Sequence, residues 1–321
     1  MHGATWLRIA TCWILIMRRE RVLLIGGGGF IGQALSWRLA GEGREVHVLG
    51  RHVENGLRDG IVFHRGCQSD ATVVAPLLKC CDALVHLASA TTPGSSAHAP
   101  ALDVAENLVP LAGFLEALAD AGPKRVLFLS SGGAIYGNPL DLPAKEGHPA
   151  QPLSWHAAGK AAAEVFLETY ARQTGASVAF LRPSNVYGPG QRFQSGFGLV
   201  RTLLEKARSG ESVEIWGSGQ QVRDFLYIDD LVDACVRLLD APVAAGIFNA
   251  GSGMGVSLLG LLDLVRQVTG QDLPVNLQPG RGIDVEGIWL DCRKLSSTVG
   301  WAAHTPLAEG VGRTWEWLSD Q

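Results

Sequence analysis

Residues 22–35 read VLLIGGGGFIGQAL. An apolar run ends in four glycines, and an apolar stretch with helical spacing follows at once. Gly26, Gly29 and Gly32 recur at every third position across that junction. Each has its own physical task. The first lets the chain turn sharply out of a strand. The second leaves the backbone bare where a pyrophosphate approaches, and the third lets helix and strand pack closely. The start of the helix then offers unpaired N–H groups and the positive end of its dipole to the phosphates. Glycines also serve ordinary turns, so the triplet by itself is a weak signal. The strand before it and the helix after it make it a dinucleotide-binding turn.

Such a turn belongs to a parallel sheet, and the following residues fit one. Strands are predicted at 21–25, 45–49, 61–64, 83–87, 125–130 and 177–182. They are unbroken apolar runs, as expected of strands buried on both faces. Helical patterns at 31–41, 71–79, 101–120 and 154–173 lie between them. Strand–helix alternation of this length predicts an α/β fold with a doubly wound parallel sheet of the Rossmann type. Beyond Arg182, prolines and glycines loosen the pattern. Helices at 197–208, 257–269 and 306–319 then join short strands near 213–215, 247–249 and 275–277. This predicts a smaller C-terminal α/β lobe for the substrate. Residues 17–182 form the dinucleotide-binding domain in this reading, 228–250 return to it, and 183–227 with 251–321 form the lobe.

The end of the second strand bears on which dinucleotide is bound. An acidic residue there holds the adenosine ribose hydroxyls of NAD. Here Gly50 takes that place and Arg51 follows it. Arg51 can hold a 2′-phosphate, which favours NADP; in the alternative it is a solvated loop residue or stacks on adenine.

Composition narrows the remaining classes. With 321 residues, 47% of them hydrophobic, the chain can bury a large core. A net charge of −4 gives no field that attracts nucleic acid. The six cysteines show no metal-ligand spacing, so no metal site is expected, and reduced thiols point to a cytoplasmic protein. Residues 1–16 are apolar but too short to span a bilayer. Arg18, Arg19 and Arg21 follow that run, whereas a signal peptide places its charge first. Residues 1–16 are therefore read as an extension, disordered or not native, and no membrane association is expected.

Eight motifs in order give the chain a family resemblance. They are GGGGFIG, DALVHLASA (82–90), AENLVPLAGFLEAL (105–118), LSSGGAIYG (129–137), LRPSNVYGPGQ (181–191), VRDFLYIDDLVDA (222–234), FNAGSGMGVS (248–257) and LDCRKLSSTVGW (290–301). From Met17 to Trp317 the chain resembles the extended short-chain dehydrogenase/reductases of the nucleotide-sugar epimerase/dehydratase type, UDP-glucose 4-epimerase among them. The resemblance implies NAD or NADP as cofactor, a nucleotide sugar (a UDP-sugar first) as substrate, and a homodimer built on helices 101–120 and 154–173. It places Phe30, Ile31, Leu87, Ala88 and Pro183 against the cofactor. Ser89, Tyr136 and Asn185 fall at the sugar or its diphosphate, and Asn107 at the floor of the site. Arg223 and Arg281 would clamp the diphosphate with guanidinium forks, Asp284 would bind the nucleotide ribose, and Trp216 would border the base. Cys67 stands where the family often carries an acid that contacts adenine, with backbone contact from Gln68 as a substitute.

The chemistry of that family uses Tyr-x-x-x-Lys on one helix, with a serine or threonine at the end of the fifth strand. This chain has His156 and Lys160, followed by Glu164, and the strand-end hydroxyl falls on Gly132 with Ser131 before it. Residues i and i+4 share a helix face, so His156 and Lys160 reach the same cleft. Three readings stay open. His156 is the acid/base, with an unperturbed pKa near about 6.5 in place of a phenol near about 10, and Ser131 or Tyr136 helps to hold the substrate. Alternatively the site binds its ligands without turnover. In the third, His156 is structural and Tyr136 or a water moves the proton. No carboxylate follows Gly132, which disfavours sugar dehydration. The expected reaction is 4-epimerisation through a 4-keto intermediate, with an NADPH-dependent 4-ketosugar reductase as the alternative.

Overall fold

The computed structural model describes residues 19–52, 58–122, 124–194, 196–241, 244–280 and 285–321. Seven strands form the central sheet: β1 (Arg21–Ile25), β2 (Glu45–Gly50), β3 (Ile61–Arg65), β4 (Ala83–His86), β5 (Arg125–Leu129), β6 (Ser177–Pro183) and β11 (Gly246–Ala250). Their order is β11-β6-β5-β4-β1-β2-β3, and every neighbouring pair is parallel. The expected α/β fold is thus present. The unbroken apolar runs have the expected cause. On β1, Val22 and Leu24 enter one core while Leu23 and Ile25 enter the core on the opposite face.

The connecting helices are α1 (Phe30–Gly41), α2 (Ala71–Cys80), α3 (Pro100–Asp103), α4 (Val109–Asp120), the single turn α5 (Gly132–Ile135) and α6 (Trp155–Thr174). Between α3 and α4, residues Val104–Leu108 form a π-helical turn, so the predicted helix 101–120 is not uniform. Such turns insert one extra residue and re-aim the side chains around them. The long helix α6 begins with the Ser154 hydroxyl accepting from the Ala157 N–H, and Gly175 ends it in the left-handed region at φ 75°.

The chain winds outward from β1 to β3, then crosses back to β4 and continues to β6. The reversal lies between β1 and β4, and ligands of doubly wound sheets bind at the carboxyl ends of strands on either side of it. The remaining strands pair outside the main sheet. These are β7 (Asn185–Tyr187) with β10 (Phe225–Tyr227), β8 (Val213–Trp216) with β13 (Val275–Gln278), and β9 (Val222–Arg223) with β12 (Val256–Ser257). Helices α7 (Leu199–Ser209), α8 (Ile228–Asp240), α9 (Leu258–Thr269), α10 (Arg293–Val299) and α11 (Leu307–Ser319) complete the fold. α8 packs on α1 and leads into the edge strand β11.

Asp224 fastens the later segments together. It is 1% exposed, and its carboxylate accepts from the Ser184 hydroxyl at 3.1 Å, from the Ser252 N–H and hydroxyl at 2.8 and 2.7 Å, and from the Leu290 N–H at 3.1 Å. Burial raises its pKa above the ordinary carboxylate value, and these donors oppose the shift.

Candidate active site

The glycine turn is shaped by contact. Gly26 has φ +79°, and a Cβ there would lie 2.7 Å from the backbone of Ala88. A Cβ at Gly32 would collide with the backbone of Gly27. At Gly29, by contrast, the nearest atom to a Cβ would be the Gly26 carbonyl at 3.7 Å. Two glycines are therefore required by packing, and the third leaves open space at the start of α1. The first turn of α1 carries no acidic residue, and no side chain caps its N–H groups. This cradle fits the pyrophosphate of a dinucleotide. Phe30 and Ile31 start the helix and pack partly against the core, and Leu87 does the same after β4. Arg51 is exposed just past β2.

Beside the carboxyl ends of β4 and β5 a cavity opens, lined by Ala88, Ser89, Asn107, His156 and Lys160 together with His86, Asp103, Phe128 and Gly159. His156 and Lys160 lie on the first turns of α6. Lys160 Nζ donates to the Leu129 carbonyl at the end of β5 at 3.0 Å and sits 5.0 Å from the centre of the Phe128 ring. Burial lowers the Lys160 pKa to about 8, against the opposing charges of Asp103 and Glu164. Burial and then the Lys160 charge lower His156 to about 4, so its imidazole is neutral at pH 7. His86, buried beneath, is lowered to about 3 by the same two causes, and its Nε2 lies 2.6 Å from Gln68 Oε1.

A polar chain reaches His156 from α3. Asp103 is 3% exposed and accepts from the Thr91 hydroxyl and from Asn107 Nδ2, the latter at 3.1 Å. Asn107 Nδ2 also donates to Thr91 Oγ1 at 2.9 Å, and Asn107 Oδ1 accepts from the Ala90 N–H at 2.8 Å. Thr91 Oγ1 is 3.2 Å from His156 Nδ1. Gly159 makes room for this arrangement, because any Cβ there would strike the Asp103 carboxylate. Sequence reasoning missed Asp103 and Thr91. A signal was present: Asp103 and Asn107, like His156 and Lys160, are a polar pair four residues apart in an apolar helical pattern.

Tyr136 requires a correction. It was expected at the sugar, but it is 1% exposed and its hydroxyl donates to Asn249 Oδ1 at 2.7 Å. Its ring lies 4.9 Å from the Arg182 guanidinium and packs with Ala144, Ile288 and Leu290. It braces the β5–α5 turn against β11, and the idea of Tyr136 as proton carrier goes with its burial. Arg182 in turn forks onto Glu164, one turn after Lys160, at 2.9 and 2.5 Å. Ser131 precedes α5 and does not line the cavity with His156. A Cβ at Gly132 would lie 2.6 Å from a Leu290 methyl and 2.7 Å from the Arg182 carbonyl, so a hydroxyl-bearing side chain does not fit this backbone.

The remaining expected residues that the structure describes do not line this cavity. Pro183 is buried at the end of β6. Asn185 is exposed, and its Nδ2 donates to the Asp224 carbonyl at 2.9 Å. Arg223 donates from Nη1 to the Val222 carbonyl at 2.9 Å, and Trp216 is 36% exposed at the end of β8. Arg281, Asp284 and residues 1–16 lie outside the described residues. Among the described residues, His47, Cys80 and Cys81 form one further cluster of metal-ligand types, but both ring nitrogens of His47 are engaged, by His64 and Glu45.

Known proteins share this fold. Residues 22–251 match the model of the NAD dependent epimerase/dehydratase family. The chain belongs to that family. It is 32% identical over 312 residues to a UDP-glucose 4-epimerase of Mycolicibacterium smegmatis, covering 94% of this chain and 99% of the relative. The UDP-glucose 4-epimerase of Thermus thermophilus, solved in complex with NAD, superposes with a TM-score of 0.87 at 32% identity, over 94% of this chain and 99% of that one. The Thermotoga maritima UDP-glucose 4-epimerase, solved with UDP-glucose, gives 0.88 at 31% identity with the same coverage. The protein is accordingly an NAD(P)-dependent enzyme of the nucleotide-sugar epimerase/dehydratase type.

Proposed function

We propose that the protein is a UDP-sugar 4-epimerase in which His156 does the acid/base work of the family's tyrosine. The observation that carries this reading is His156 itself. It lines the cavity beside the ends of β4 and β5, one turn before a buried lysine, with an imidazole that is neutral at pH 7. A neutral imidazole is ready to accept a proton, as the first half of an epimerisation requires. The proton of the sugar C4 hydroxyl passes to His156 as the C4 hydrogen leaves as hydride. The 4-keto sugar turns, C4 takes hydride on its other face, and His156 returns the proton to O4. The dinucleotide, when bound, supplies the hydride acceptor and donor. Lys160 holds its ribose, and Gly26, Gly29 and the start of α1 hold its pyrophosphate. By the family resemblance Ser89 and Asn185 would contact the sugar, Arg223 and Arg281 the diphosphate, and Asp284 and Trp216 the nucleoside. Ser131 has a supporting role at most.

An NADPH-dependent 4-ketosugar reductase is the second reading, favoured by Arg51 and the missing carboxylate after β2. It requires His156 to begin protonated, which burial and Lys160 oppose. The deciding experiment offers purified protein UDP-glucose or UDP-galactose with NAD, and 4-keto sugars with NADPH. Turnover of the first pair that is lost in His156→Ala and kept in His156→Tyr supports the epimerase. Full activity of His156→Ala sinks the assignment, and binding without turnover marks a catalytically silent protein.

A homodimer is part of this reading. Leu102, Val104 and Val109, and on the neighbouring α6 Trp155, Val165 and Phe166, leave apolar side chains 40–61% exposed. A patch of this kind on paired helices suits a subunit contact. Light scattering of wild type against Val165→Asp/Phe166→Asp tests it. The described cysteines are all free, which suits a cytoplasmic setting, and among the described residues no helix is long and apolar enough to cross a membrane.

A further inference from the structure

We infer that Asp103 and Thr91 are positioning residues that hold His156 with its proton on Nδ1, leaving Nε2 as the nitrogen that exchanges protons with the sugar. The inference rests on His156 being the acid/base of the function proposed above.

The argument is a count of protons. A backbone N–H can only donate, so the bond from Ala90 fixes Asn107 with its oxygen toward Ala90 and its NH2 toward Thr91 and Asp103. Thr91 has one hydroxyl proton and two lone pairs. Asp103, as a carboxylate, only accepts, so the Thr91 proton goes to it. Asn107 fills one lone pair of Thr91. His156 Nδ1, 3.2 Å away, meets the other and must therefore donate. Nε2 is left with its lone pair free, and it has no hydrogen-bond partner among the described residues. A phenol needs no such device, because it has a single oxygen. An imidazole has two nitrogens, and only one can face the substrate.

The same chain bears on the charge that His156 acquires when it takes a proton. The groups around it are Lys160 on α6, Asp103 on α3 and His86 on β4, with the Glu164–Arg182 pair behind Lys160. Lys160 opposes an imidazolium. Asp103 is the carboxylate that offsets it through Thr91, whereas the acid of a hydrolytic triad bonds its histidine directly.

Long-range proton–nitrogen spectra of protein labelled with nitrogen-15 at histidine test this without any substrate, with the His156 signal assigned by its loss in His156→Gln. The expected result is the Nδ1–H tautomer in wild type and a shift toward Nε2–H in Thr91→Val and Asp103→Asn. In turnover, Thr91→Val should lower kcat by about a hundredfold with little change in KM, and Thr91→Ser should restore it. An Nε2–H tautomer in wild type overturns the inference even if a variant fails to fold. So does a tautomer and kcat indifferent to Thr91→Val while His156 remains essential. Full activity of His156→Ala instead overturns the functional reading beneath it.

Discussion

On the proposed mechanism the pH profile of kcat/KM follows from two groups. In the free protein His156 titrates at about 4 and Lys160 at about 8. In the proposed mechanism the active form has His156 neutral and Lys160 charged, because the imidazole would accept a proton and the ammonium would hold the cofactor ribose. At pH 7 nearly all molecules meet both conditions. At pH 9 about one in ten keeps the Lys160 proton, so kcat/KM should fall about tenfold from pH 7 to pH 9. Between pH 7 and pH 5 it should stay flat. The signs are fixed by burial: desolvation penalises the charged form, which lowers both bases. Asp103 and Glu164 keep Lys160 from falling further. In His156→Tyr the acid/base becomes a phenol that must lose its proton, and activity should then rise with pH from 6 toward 8. The assay is initial-rate epimerisation of UDP-galactose under limiting substrate across pH 5–10, with unfolding controls at each end. Wild-type activity that climbs between pH 7 and 9 would refute the reasoning, as would a tenfold loss between pH 7 and 5, which would put His156 at its ordinary value.

Other consequences are sharper at single residues. Gly29→Ala should fold with at most a small loss of thermal stability but bind the dinucleotide at least tenfold more weakly in fluorescence titration, since its Cβ would enter the open space that the pyrophosphate would occupy. Gly32→Ala, whose Cβ strikes the Gly27 backbone, should lose about 1–3 kcal/mol of stability as well. Glu164→Gln leaves the Arg182 charge buried without its partner, at side-chain exposures of 5% and 8% in the native pair. It should cost about 3–5 kcal/mol, a fall of about 5 °C in Tm for a chain of this size, read by calorimetry. Arg223→Ala should raise KM for the UDP-sugar about tenfold or more.

The fold was legible because its determinants are local. The glycine turn requires a strand before it and a helix after it, and buried parallel strands print as apolar runs. Predicted and observed bounds of β1, α1, α2 and α6 differ by one residue at most at either end. What the sequence did not show depends on packing between distant segments. The two-residue strands β9 and β12 are too short to carry a period, and the Asp224 hub joins residues 184, 252 and 290. Tyr136 was misplaced for the same reason. Its partner Asn249 lies 113 residues away on the edge strand β11, so nothing near Tyr136 in sequence tells a buried brace from a cleft-facing phenol.

The catalytic helix was legible as a face, and what it faces was not. His156 and Lys160 announce a shared cleft by their spacing alone. An imidazole in a phenol's place raises a second requirement, that one nitrogen be tied so that the other is free. Meeting it takes a hydroxyl from the loop after β4, a carboxylate and an amide from the helix after it, and a glycine in α6 that lets the carboxylate approach. A glycine in a helix interior costs about 1 kcal/mol against alanine, so Gly159 reads as a place where close approach outweighs helix propensity. On the proposed reading a histidine in the tyrosine's place is thus not one isolated feature: it depends on Thr91, Asp103 and Gly159, and the site would work as an acid/base only if all four act together.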